Sequence, residues 1–197
     1  MKVTLIGDSI RLYSEPFVRD HLPSSFQVSS PSVNCKSSHE VAANIQDWVS
    51  GTTADLVHIN CGLHDIRHDP GRQRPVSSPE QYVANLRSIF SYLSTSGVSV
   101  IWATSTPTSK ILHDNIELPR WYQADLVEYN RLSVDLALGF GFHVNDLHGR
   151  LSETAVETLF LPDGVHFNKA GNTLIGEHVA DAIRVGGAQR YPGSKDP

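Results

Sequence analysis

The sequence predicts an α/β fold, with a central and mainly five-stranded parallel sheet between two layers of helices. Three observations lead there. The apolar runs are short, they alternate with longer segments of helical period, and 197 residues suffice to cover a sheet on both faces. Strands and helices in alternation build a parallel sheet through right-handed crossovers. Such sheets bind ligands beyond the carboxyl ends of their strands, where strand order reverses. The residues that follow each strand are therefore the ones to read for chemistry.

The first strand, at 3–6, reads Val-Thr-Leu-Ile and ends on Gly7, which permits a tight turn. Asp8 and Ser9 open a helix read over 12–21, where free N–H groups favour developing negative charge. The plain alternative is that the two residues only cap that helix. A second strand at 26–29 leads through Val33-Asn34-Cys35-Lys36-Ser37-Ser38 into a helix over 38–49, which Ser37 or Ser38 can cap. The third strand, 56–60, runs into Cys61 and then Gly62-Leu63-His64-Asp65. A loop over 67–79, rich in Pro, Gly and Arg, precedes a helix over 79–95. The fourth strand, 98–103, is followed by Ser105-Thr106-Pro107 and a loop reaching Pro119. Both long loops sit where substrate pockets are bordered, or are solvated connections. Helix 122–138 shows its period plainly, with Leu126, Tyr129, Leu132, Leu136 and Ala137 on one face. A short fifth strand at 142–144 and the loop Leu161-Pro162-Asp163-Gly164-Val165-His166-Phe167 complete the series before a last helix over 169–185. We expect one domain over 1–186 and a flexible tail over 187–197.

Bulk properties exclude several functions. A net charge of -5 with scattered Lys and Arg argues against nucleic-acid binding and against a polybasic membrane patch. Hydrophobic content of 40% and charged content of 19% are ordinary for a globular chain. Two cysteines imply no disulfide framework, and ten dispersed histidines without an HExxH pair imply no metal site. The first strand starts too early for a signal peptide, and no apolar stretch approaches the ~20 residues of a membrane span. The expected location is cytoplasmic, without membrane insertion. Oligomeric state is not legible.

Ser9, Asp163 and His166 form the chemical constellation. A serine hydroxyl is a weak nucleophile until a base takes its proton. An acid three residues before a histidine on a turn can accept the ring N–H and fix one tautomer. Alone, His166 reads equally as a solvent-facing turn residue.

These stretches resemble the serine hydrolases called GDSL or SGNH, which have flavodoxin-like folds. Gly7-Asp8-Ser9-Ile10 is similar to the family's first block, whose serine is the nucleophile. Asp163-x-x-His166 is similar to the last block, which completes the triad. Gly62-Leu63-His64-Asp65 stands where the family has Gly-x-Asn-Asp, so His64 replaces an asparagine that donates to the oxyanion. An imidazole N–H can take that role, or His64 packs the turn. The second block lacks its glycine. A backbone N–H of Lys36 or Cys35 can serve, since glycine is needed only at positive φ.

The resemblance implies an oxyanion hole from Ser9, Lys36 and His64, and an esterase acting without a cofactor. It further implies short-acyl esters, carbohydrate acetyl groups foremost, with a small-molecule or glycan ester as substrate. Lysophospholipid or thioester cleavage, or a non-catalytic carbohydrate-binding relative, are the alternatives. Arg11, Cys35 and Arg67 are candidates to contact substrate, the arginines through an anionic group. Asp65 reads as a tie between loops.

Overall fold

Five short strands carry the architecture, and all pair in parallel. The computed structural model describes residues 1–109, 119–154 and 156–190, without the side chains of 188–190. The strands are β1 (Lys2–Ile6), β2 (Gln27–Ser29), β3 (Leu56–Ile59), β4 (Ser99–Ala103) and β5 (His143–Asn145). Their order is β2-β1-β3-β4-β5, so the direction of winding reverses between β1 and β3. Ile6 lies level with Ile59 across that boundary, which sets Gly7 and Asn60 side by side at the carboxyl end. Ligand sites of parallel sheets form at this kind of junction.

The helices are α1 (Ser9–His21), α2 (Ser38–Ser50), α3 (Pro79–Thr95), α4 (Gln123–Gly139), α5 (Leu147–Ser152) and α6 (Lys169–Arg190). α1 packs on α6, whereas α2, α3 and α4 pack in sequence with one another, giving two helical layers. Both faces of the sheet are thereby covered. This explains why all four residues of β3 are buried, with no alternation of exposed positions, even though one of them is His58. Phe90, Trp102, Phe140 and Phe142 interlock beneath α3, with ring centroids 5.1 to 5.8 Å apart. The Trp102 indole donates to Ser133 Oγ at 3.1 Å, so its one polar atom is matched inside the core.

Several boundaries differ from expectation for local reasons. α1 begins at Ser9, not residue 12, because Asp8 Oδ1 accepts the Ile10 N–H at 2.9 Å and caps the helix there. α5 and a 3-10 turn at Val156–Leu159 are too short to show a period in the sequence. α6 continues to Arg190, past the end expected at residue 185. A Cβ at Gly187 would lie 2.8 Å from Met1 Cε, so this glycine serves close packing against the chain's start. Residues 187–190 of the expected tail are thus helical, and 191–197 lie outside the described residues, as does most of the expected loop between 107 and 119. No described helix is long and apolar enough to cross a membrane.

One buried histidine couples this core to pH. His58, on β3, is 5% exposed, and its Nε2 accepts from Asn145 Nδ2 at 3.2 Å. Burial lowers its pKa to about 4. The unfolded chain, with an imidazole near 6.5, binds the extra proton between those values, so this stability is present above pH 6.5 and is lost as pH falls toward 4. Urea unfolding should show about 2 kcal/mol lost from this group by pH 5. The His58→Gln variant should show a flatter pH dependence over the same window; an equal slope would remove His58 as its source.

Candidate active site

The turn after β1 places Ser9 as the first residue of α1, half-buried and level with the free N–H groups of that helix. From the other end of the sequence, His166 arrives on the loop that feeds α6. Ser9 Oγ donates to His166 Nε2 at 2.8 Å, and His166 Nδ1 donates to Asp163 Oδ2 at 2.6 Å. Asp163 Oδ1 also accepts the backbone N–H groups of Val165 at 3.0 Å and His166 at 2.9 Å. Burial alone would raise the Asp163 pKa, but the His166 ring and these two backbone donors outweigh it and hold it below the usual carboxylate range. The carboxylate therefore stays ionised and fixes the tautomer with Nε2 free to accept.

The loop is braced from below. Leu161 N–H donates to His166 O at 2.8 Å, Asn172 Nδ2 donates to Phe167 O at 2.7 Å, and the Phe167 ring is buried. Tyr13, one helical turn after Ser9, meets the His166 ring edge-on at 5.5 Å and remains 54% exposed. Sequence reading missed this neighbour, which the i,i+4 spacing from Ser9 could have signalled.

The opposite wall comes from the loops after β2 and β3. Lys36 has φ of +56°, the left-handed conformation that favours glycine, although no glycine is present. Its N–H donates to Asn34 Oδ1 at 2.9 Å. Cys35 N–H closes onto Gly7 O at 3.2 Å, while Ser37 and Ser38 N–H groups go to carboxylates of Glu40 and Asp65. Of these four amides, that of Lys36 alone is held by a neutral side chain, the partner simplest to replace.

Gly62, with φ of +151°, lets the next turn pass Ser105, since a Cβ would come 2.4 Å from Ser105 Oγ. Tyr82 OH donates to Cys61 O at 3.0 Å, and the Trp121 indole to Leu63 O at 2.7 Å. His64 follows on this pinned turn, half-buried, with no side-chain hydrogen bond among the described residues. Burial lowers its pKa, and the Arg67 charge acts in the same direction; Asp8 and Asp65 oppose them. The ring is neutral at pH 7 and keeps one N–H to give.

Asp8 lies behind these groups. It is 1% exposed, its Oδ2 has no partner among the described residues, and burial raises its pKa against the pull of His64, the Ile10 N–H, His166 and Arg11.

Three expected substrate contacts are placed otherwise. Arg11 turns inward, where its guanidinium donates to Val33 O at 2.7 Å, to Gly7 O at 3.4 Å and to Glu15 at 3.0 Å. A long cation beside a strand end satisfies bare carbonyls there before it reaches a ligand. Cys35 is 1% exposed beneath that same guanidinium. Arg67 pairs with Asp69 at 2.8 Å. Among the described residues no group of three His, Cys, Asp or Glu is placed to hold a metal ion.

Comparison with known proteins bears on the family and the fold. Residues 20–174 match the GDSL-like Lipase/Acylhydrolase family, a span that contains Asp163, His166 and the 62–65 turn and starts after Ser9. Among solved structures, the lipase/acylhydrolase from Enterococcus faecalis is similar at 19% identity and a TM-score of 0.75, covering 93% of this chain and 95% of that one. The acetyl xylan esterase AlAXEase is similar at 17% identity and a TM-score of 0.74, over 93% of this chain and all of the other, 100%. Axe2, an acetylxylan esterase from Geobacillus stearothermophilus, is similar at 17% identity and a TM-score of 0.71, over 92% and 93% of the two chains. At such identities these likenesses speak for the fold. No curated protein sequence matches significantly. The family match takes in most of the sequence, and the chain accordingly belongs to the GDSL-like lipase/acylhydrolase family of ester-hydrolysing enzymes.

Proposed function

We propose that the chain hydrolyses short-acyl esters, acetyl groups on carbohydrates foremost, through a covalent acyl-enzyme. The observation that carries this reading is the continuous hydrogen-bond chain from Ser9 Oγ through His166 to Asp163. Ser9 Oγ attacks the acyl carbonyl as His166 Nε2 takes its proton. His166 then gives that proton to the departing alcohol oxygen, and Asp163 stabilises the imidazolium in between. Water, deprotonated by the same ring, attacks the acyl-Ser9 ester and releases the acid.

The negative charge on the tetrahedral oxygen needs donors already in place. In this reading they are the Ser9 N–H, the Lys36 N–H and the neutral His64 ring. Asn34 Oδ1 holds the Lys36 N–H in the resting enzyme and yields it to the stronger, charged acceptor as the oxyanion forms. The positive φ of Lys36 supports this role, because it is a backbone state that favours glycine, the residue the family has in this block. Acetyl esters are favoured because two of the structurally similar enzymes are acetyl xylan esterases.

Ser9→Ala and His166→Ala should each lower kcat by on the order of 10^3-fold or more on p-nitrophenyl acetate, and the double variant should be little worse, since the residues act as a unit. Near-full turnover by Ser9→Ala would end this reading. Acetate should be released from acetylated glycans, and kcat/KM should fall as the acyl chain lengthens from acetyl to octanoyl.

His64 carries a separate expectation. His64→Ala should reduce kcat by ~10^2-fold or more with KM little changed, because its bond strengthens in the transition state. His64→Asn should recover much of that loss. An unchanged kcat in His64→Ala would leave the oxyanion to the backbone donors.

A further inference from the structure

A cationic cavity lies one loop away from the proposed ester site. Its volume is about 200 Å³, and its walls include His68, Asp69, Arg72, Arg120 and Tyr122. Two segments distant in sequence build it. His68 and Arg120 exchange backbone hydrogen bonds as an antiparallel bridge, with His68 N–H to Arg120 O at 2.8 Å and Arg120 N–H to His68 O at 3.0 Å. The floor is therefore fixed by main-chain bonds and does not depend on side-chain rotamers alone.

The charges within it do not cancel. Asp69 is taken by Arg67 at 2.8 Å, and the nearby Asp125 by His68 at 2.7 Å. The guanidinium groups of Arg72 and Arg120 meet no carboxylate among the described residues. Two guanidinium forks without an acidic partner among the described residues line one concavity in a chain whose net charge is -5. A guanidinium matches the two oxygens of a carboxylate or phosphate in its own plane. Tyr122 stands edge-on to His68 at 4.7 Å and is 46% exposed, offering an amphipathic ring beside those forks.

The cavity is also joined to the ester site. Trp121, between Arg120 and Tyr122, donates to Leu63 O at 2.7 Å, the residue before His64. Arg67, paired into the cavity's edge, acts electrostatically on the His64 ring. A ligand held here would extend from the wall that carries His64.

We infer that this cavity is a subsite for an oxyanion, a carboxylate or phosphate, on the alcohol part of the ester, so that the preferred substrate is an acidic glycan or sugar ester. This rests on the esterase reading for its turnover test, and a binding test reads it independently. In turnover, the wild type should favour an acetylated xylo-oligosaccharide bearing a glucuronate over its neutral counterpart by about tenfold in kcat/KM. Added salt, at about 0.5 M, should erode that preference. The Arg72→Gln/Arg120→Gln double variant should bring the ratio close to one. Because the ratio is taken on one enzyme, a general loss of activity cancels.

An acetylated hexose phosphate, run beside the glucuronate, separates the sources: whichever acidic ester gains more over its neutral partner names the group. In binding, Ser9→Ala protein titrated calorimetrically with the deacetylated glucuronate oligosaccharide should bind it more tightly than the neutral one, and the added arginine changes should abolish the difference. Equal affinities in that titration, or a ratio unmoved by the double variant, would overturn the subsite. Failure of the wild type on every ester, with the binding contrast intact, would overturn the esterase reading and leave the subsite standing.

Discussion

Asp65 is the buried charge on which the His64 side of the site depends. It is fully enclosed, and no cation among the described residues pairs with it; instead it accepts from Ser38 N–H at 2.8 Å, Ser38 Oγ at 2.6 Å and Ser77 Oγ at 2.7 Å. Burial raises its pKa against those bonds. The cost of enclosing an acid is offset only while all the donors stay in register, so the loops that supply them are held to one arrangement. The bonds continue outward. Asn85 of α3 donates to Ser38 Oγ at 2.9 Å, and Tyr129 of α4 donates to Ser77 O at 2.6 Å. The first residue of α2, the turn bearing His64 and the entry to α3 are thereby a single hydrogen-bonded body.

The Ser9 side is built by other means. α1 lies against α6, and the sheet ends below both, so the serine and histidine are set by apolar packing and by the braced 161–167 loop. The two sides meet where winding reverses between β1 and β3. Chemistry that requires a nucleophile, a base and convergent donors is well served by such a junction, because each side is rigid for its own reasons.

The fold was legible because parallel strands buried on both faces show as short apolar runs, and long helices show as periods. Ser9, Asp163 and His166 were legible because each sits in a local pattern: a strand–Gly turn, or an i,i+3 acid and histidine. What sequence did not show depends on contacts across the chain. Arg11, two residues from Ser9, read as a candidate to contact substrate, but the carbonyls of Gly7 and Val33 that capture it are known only once the loop after β2 is placed. The left-handed Lys36 is invisible because its residue type argues against that φ. Asp65 gave a hint of tying loops, yet its second serine, Ser77, stands 12 residues on, with no pattern to announce it. The two helix ends that differ divide on this point: the Asp8 cap that starts α1 is a local contact two residues long, whereas the close approach of Gly187 to Met1 within α6 is a tertiary one.

The bond between Ser9 and His166 spans 157 positions. Closing so long a loop costs conformational entropy that only the finished sheet and the α1–α6 contact return. In the proposed mechanism the serine is synthesised 157 residues before its base, so a chain that stops between the two would carry Ser9 with nothing to activate it. Hydrolytic power would then switch on in one cooperative step, and catalytic turnover would report completion of folding more sharply than helical content does.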